Sequence, residues 1–107
     1  MNRDDDIFEA PPDGFPMEPV HPGQVLEDEI AARGLTAHAL GLKLRVPANR
    51  ITDIINGKRG VSPDTALRLG RCLGPGAAFW LSLQTQYDLA MAEKRLGARI
   101  RAEVEAA

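Results

Sequence analysis

The chain has 107 residues, of which 26% are charged and 5% aromatic; this suits one domain with one modest core of Leu, Ile, Val and Ala. Its formal net charge is −2, and no apolar run approaches the roughly 18 residues of a membrane span. A single cysteine, Cys72, excludes an internal disulfide and fits a reducing cytoplasm.

Residues 1–20 read as an acidic, Pro-rich arm, with Pro11, Pro12, Pro16 and Pro19 among Asp and Glu and with Ile7, Phe8 and Phe15 scattered without a period. Its start lacks the basic and apolar regions of a signal peptide. The arm is either a floppy tail or a set of apolar anchors that order against the domain or a partner. His21-Pro22-Gly23 opens the first helix, with Val25, Leu26, Ile30 and Ala31 as its buried stripe and Gly34 as its stop. Glu27, Asp28 and Glu29 lie in its first half, where the helix dipole favours negative charge. His21 and His38 stand outside any ligand-spaced cluster, so no metal or other cofactor is expected.

Thr36 is placed to cap a second helix running to about Leu44, in which Ala39 is small enough for another helix to approach. Leu44-Arg45-Val46 carries a tight turn. Pro47 suits the first position of a third helix that buries Ile51, Ile54 and Ile55 and stops at Asn56-Gly57. Two short helices with one small apolar inner face are the helix-turn-helix pattern. Ser62-Pro63-Asp64 starts a fourth helix with Ala66, Leu67, Leu69, Gly70, Cys72 and Leu73, and Cys72 is expected on its apolar face. After Gly74-Pro75 a fifth carries Phe79, Trp80, Leu83, Tyr87, Ala90 and Met91 at the spacing of one buried face. Leu96, Ile100 and Val104 continue that pattern, weakened by Gly97. The expected fold class is therefore all-α: a five-helix, lambda-repressor-like helix-turn-helix domain over 21–95. Residues 96–107 form a helical extension that either frays or makes a dimer contact.

The small net charge hides an uneven distribution. Residues 1–18 set six acids against Arg3, a net of −5, whereas residues 33–71 set eight Arg and Lys against Asp53 and Asp64, a net of +6. The basic block is either a solvated face or the footprint of a phosphate backbone. In a helix-turn-helix the start of the second helix enters the major groove, which assigns base reading to Ala48, Asn49, Arg50, Thr52 and Asp53. Asn49 suits a bidentate pair to adenine and Arg50 one to guanine, while Ala48 suits a thymine methyl. Asp53 either accepts from a cytosine amine or orients Arg50. Thr36, Lys43 and Arg45 before the helix, with Lys58 and Arg59 after it, are placed for phosphates. No nucleophile–base pair and no carboxylate cluster is visible, so no catalytic residue and no enzyme is expected.

Asn56-Gly57-Lys58-Arg59 resembles the ending of the third helix in the XRE (Cro/cI-type) family. The chain is more specifically similar to the HigA-type antitoxins. His21-Pro22-Gly23 with Leu26 and Glu29, Val46-Pro47-Ala48-Asn49-Arg50-Ile51, Arg59-Gly60 leading into Ser62 to Leu69, and Phe79-Trp80-Leu81 with Tyr87-Asp88-Leu89 carry the similarity over about residues 21–92. Pro47 stands where the wider family often has Ser or Thr. The resemblance implies a homodimer that binds an inverted-repeat operator in double-stranded DNA and represses its own toxin–antitoxin operon. It also implies a HigB/RelE-like toxin partner that cleaves mRNA on the ribosome. The alternative is a stand-alone repressor of the same fold without a toxin. Neither reading needs a membrane.

Overall fold

A computed structural model describes residues 19–107 of the chain; the anchors expected at Ile7, Phe8 and Phe15 lie outside the described residues. Five helices follow one another among them: α1 (Pro22–Ala32), α2 (Ala37–Leu44), α3 (Ala48–Ile55), α4 (Pro63–Leu73) and α5 (Ala77–Glu103). Val20–Tyr87 forms one compact unit, and no described helix is long and apolar enough to cross a membrane.

Each start has a local cause. His21 caps α1, its Nδ1 accepting the Gly23 N–H at 2.9 Å. Thr36 caps α2, its hydroxyl accepting from the Ala39 N–H at 3.0 Å, and Ser62 caps α4 by accepting from Thr65 at 3.2 Å. Pro47 is the N-cap residue of α3 rather than its first helical residue, and no side chain caps that end. The reason is its ψ of 144°, which keeps Pro47 extended and starts the helical turn at Ala48.

The core of this unit joins Leu26 and Ile30 of α1, Leu40 and Leu44 of α2, Ile51 and Ile54 of α3, Ala66, Leu69 and Leu73 of α4, and Trp80 of α5, with Val61 from the loop before α4. Fully burying an aliphatic side chain of this size contributes about 1.5–3 kcal/mol. Several expected core positions are not in it. Ala31 is exposed, because α1 buries the arc of Pro22, Gly23, Leu26 and Ile30 and Ala31 lies across the helix from it. Cys72 is likewise exposed, since α4 turns Thr65, Ala66, Leu69 and Leu73 inward and leaves Cys72 outside that arc. Phe79 is 41% exposed and packs edge-on against the buried Trp80, with ring centroids 5.2 Å apart.

Close approach to α3 is made by two glycines rather than by Ala39, which is only half-buried. A Cβ on Gly23 would overlap the Ile54 carbonyl oxygen and stand 2.9 Å from Ile55 Cα, so the first turn of α1 lies directly on the backbone at the end of α3. A Cβ on Gly41 would stand 3.0 Å from the Val46 carbonyl oxygen and 3.2 Å from Ala48 Cα, where α2 meets the start of α3.

From Asp88 onward, α5 continues without interruption to Glu103. Gly97 does not break it, and Glu93 and Arg101 pair across that glycine. Ile100 is 46% and Val104 64% exposed.

Gly23→Ala is expected to destabilise the domain by about 3 kcal/mol, as overpacking against backbone that cannot yield. Urea denaturation measures it, and a loss below about 0.5 kcal/mol would show that α1 does not seat on the end of α3.

Candidate nucleic-acid interface

α3 turns Ile51 and Ile54 fully inward, which leaves the other side of its first turns to Asn49, Arg50, Thr52 and Asp53. Asn49 and Thr52 are exposed. The Thr52 hydroxyl donates to the Asn49 carbonyl at 3.2 Å, so it faces back along its own helix. Ala48 is half-buried near Gly41, which makes it a packing residue as well as a surface one. Asp53 pairs with Arg59 at 3.8 Å, whereas the carboxylate that faces Arg50 is Asp64, at 3.5 Å.

Both helices of the motif end in the same backbone arrangement. After α3, the Gly57 N–H donates to the Ile54 carbonyl at 3.1 Å and the Lys58 N–H to the Asp53 carbonyl at 2.8 Å. With Gly57 at φ 77°, this is a Schellman ending, and it sets the direction in which Lys58 and Arg59 leave the helix. After α2, Arg45 donates to the Leu42 carbonyl at 3.3 Å and Val46 to that of Gly41 at 3.0 Å. The left-handed residue there is Arg45, at φ 62°, in a conformation that suits glycine. A side chain in that conformation costs about 1–2 kcal/mol, a cost that keeps a guanidinium at the mouth of the turn.

Arg45, Arg50, Arg59 and Arg68 line a groove of about 450 Å³ together with Ser62 and Asp64 at the start of α4. Of the ten residues assigned to DNA from sequence, the structure gathers Arg45, Arg50 and Arg59 in this groove. Lys58 is exposed on the loop beyond α3. Lys43 lines a separate surface hollow with Leu67, Arg71 and Cys72. Thr36 is exposed at the start of α2, its hydroxyl engaged in the cap.

Three residues that sequence reasoning did not assign to the site organise it. Arg68 donates from Nη1 to the Leu44 carbonyl at 2.8 Å and from Nε to Asp64 Oδ1 at 2.7 Å. Gln84 of α5 accepts the Val61 N–H at 2.7 Å and so ties down the loop that carries Lys58 and Arg59. Asp64 is the only acid lining the groove among the described residues. The hydrogen bond from Arg68 holds its carboxyl below the ordinary value, desolvation opposes that, and the charges of Arg68 and Arg50 add to the lowering. The one available signal was the i,i+4 spacing of Asp64 and Arg68. Arg33, counted in the basic block, instead pairs with Glu29 and donates to the Leu73 carbonyl at 2.6 Å, closing the end of α4. Among the described residues no group of three His, Cys, Asp or Glu forms a metal site.

The Helix-turn-helix family model matches residues 26–76. Virulence-associated protein I of Dichelobacter nodosus is 48% identical over 79 residues, covering 73% of this chain and 73% of that protein. Among solved structures, an addiction module antidote protein of the HigA family from Coxiella burnetii matches with a TM-score of 0.80 and 42% identity, over 85% of this chain and all of that one. The Pseudomonas aeruginosa antitoxin HigA, solved with the higBA promoter, matches with a TM-score of 0.79 and 41% identity, over 81% of this chain and 96% of that one.

Because its folded carboxyl value is lowered, Asp64 contributes stability above the unfolded carboxyl value, and that contribution is lost as pH falls through the folded one. Arg68→Gln is expected to move the Asp64 midpoint upward in a carbon-13 NMR titration. An unmoved midpoint would remove Arg68 as the cause.

Proposed function

We propose that this chain, which belongs to the HigA family of helix-turn-helix antitoxins, represses its own toxin–antitoxin operon and neutralises a HigB/RelE-like mRNA-cleaving toxin by binding it. The observation that carries the DNA half is the groove of four arginines beside the open side of α3. A phosphate backbone seats where cations line a groove, and base edges are read by the polar side chains that the adjoining helix presents. The P. aeruginosa homologue, solved with promoter DNA at 41% identity, supports the same use of the fold. Asn49 and Arg50 are the base-reading pair, with Ala48, Thr52 and Asp53 beside them. Thr36, Lys43, Arg45, Lys58 and Arg59 serve the phosphates. The toxin half rests on family membership. The site of action is the cytoplasm, where operon and ribosomes are. A gel shift on the DNA upstream of its own gene, with and without the protein of the neighbouring reading frame, tests both halves. A shift that the neighbour leaves unchanged, with no complex between the two proteins, would favour a stand-alone repressor.

Arg50→Ala is expected to cost about 1–3 kcal/mol in discrimination between operator and unrelated DNA. Lys58→Ala is expected to weaken all sequences evenly and to lower the magnitude of the salt slope by about 1. Titrations of both variants over a range of salt separate the two roles, and an identical profile for the pair would refute the assignment.

The protein is further proposed to bind as a twofold dimer, because one motif contacts too few bases and paired half-sites lie about 34–36 Å apart. The exposed Ile100 and Val104, continuing the stripe of Leu96, support a contact on the extension of α5 over residues 96–107. Truncation after Glu93 is expected to give a monomer in sedimentation, with weakened operator binding. A truncated dimer of wild-type affinity would put the interface elsewhere, for instance near Trp80.

A further inference from the structure

We propose that Asp64 and Arg68, which lie on α4 outside the helix-turn-helix itself, are positioning residues that set the sequence discrimination of the interface by holding Arg50 and the turn that launches α3. The inference rests on the reading of Arg50 as a base contact and deepens it.

A single guanidinium makes the link. Arg68 spans from the Leu44 carbonyl, at the end of α2, to Asp64 Oδ1, and the same oxygen faces Arg50 Nη1 at 3.5 Å. The turn between α2 and α3 and the lead reading residue of α3 are thus tied to one side chain of α4. Arginine carries five N–H donors. Asp64 engages one edge of Arg50 and leaves the others for the two acceptors of a guanine. At 3.5 Å, with Asp64 59% exposed, the pair is too loose and too solvated to matter much for stability. Its effect is orientation: a guanidinium already held in place loses less freedom when it meets a base.

The sign of the charge points the same way. Asp64 is the one acid lining a groove that otherwise presents Arg45, Arg50, Arg59 and Arg68 among the described residues. A carboxylate there weakens attraction for phosphate of any sequence, so it lowers non-specific affinity while it orders the base-reading side chain. The charge acts on both duplexes alike, so the gain in the ratio of specific to non-specific binding comes from the ordering of Arg50.

Asp64→Asn, Arg68→Lys and Arg50→Ala are compared on operator and scrambled duplexes of equal length, over about 50 to 200 mM salt, with circular dichroism to verify the fold. Asp64→Asn is expected to bind scrambled DNA as tightly as wild type or more so, while its operator-to-scrambled ratio falls about tenfold. Arg68→Lys keeps the charge, so its salt slope stays while the ratio falls, because an ammonium cannot serve the Leu44 carbonyl and Asp64 in the same fork geometry. In the Arg50→Ala background, Asp64→Asn is expected to lower the ratio no further. An unchanged ratio for Asp64→Asn overturns the proposal. So does an equal loss on both duplexes, which marks a merely structural residue. If Arg50→Ala itself keeps the wild-type ratio, the reading of Arg50 fails and the proposal with it. If Arg50→Ala loses the ratio and Asp64→Asn keeps it, the positioning role alone is refuted.

Discussion

An eight-residue helix does not persist in water by itself, because isolated helices shorter than about 12–15 residues are marginal. α3, at eight residues, is such a helix, and the rest of the domain is arranged to hold it. Ile51 and Ile54 are fully buried within a cluster fed by all five helices. That burial fixes the rotation of α3 about its axis and so decides that Asn49 and Arg50 face outward. A polar residue at either isoleucine position would cost more than the helix can lose.

Both ends of α3 are held by other elements. Its start has no side-chain cap, and the turn before it is kept by Gly41 against Val46 and Ala48 and by Arg68 on the Leu44 carbonyl. Its end is closed by Gly57 in the left-handed region and lies under Gly23 of α1. Gln84 of α5 then takes the Val61 N–H and fixes the loop with Lys58 and Arg59. The side chains proposed to read bases and to face phosphates are thereby placed on backbone fixed from several sides, as recognition of a rigid duplex requires.

Charge is arranged on the same frame. The net of −2 says little about the surface that matters, where four arginines share one groove with Asp64. Not every cation of the basic block belongs there. Arg33 closes the end of α4, Lys43 and Arg71 line a separate hollow, and within the groove Arg59 is shared with Asp53. A segment's summed charge therefore overstates the charge presented to a phosphate.

Much of this molecule was determined by sequence alone, and for local reasons. Caps, prolines, glycines and 3.6-residue periodicity act over a few neighbours, so Thr36, Ser62-Pro63, Gly34, Gly57 and Gly74 mark helix ends where the structure has them. The inward set Ile51 and Ile54 was legible from spacing, and the outward set followed from it. Tertiary structure alone decided what depends on two distant segments meeting. It exposed Cys72 and Ala31, whose position relative to the buried arc depends on where the neighbouring helices lie. It made Gly23 and Gly41, rather than Ala39, the points of backbone contact with α3. It also set Asp64, fourteen residues along the chain, against Arg50, and Arg68 on the Leu44 carbonyl. No periodicity encodes such pairs, because an ion pair between helices depends on how those helices cross, and the crossing is chosen by the packing of the whole core.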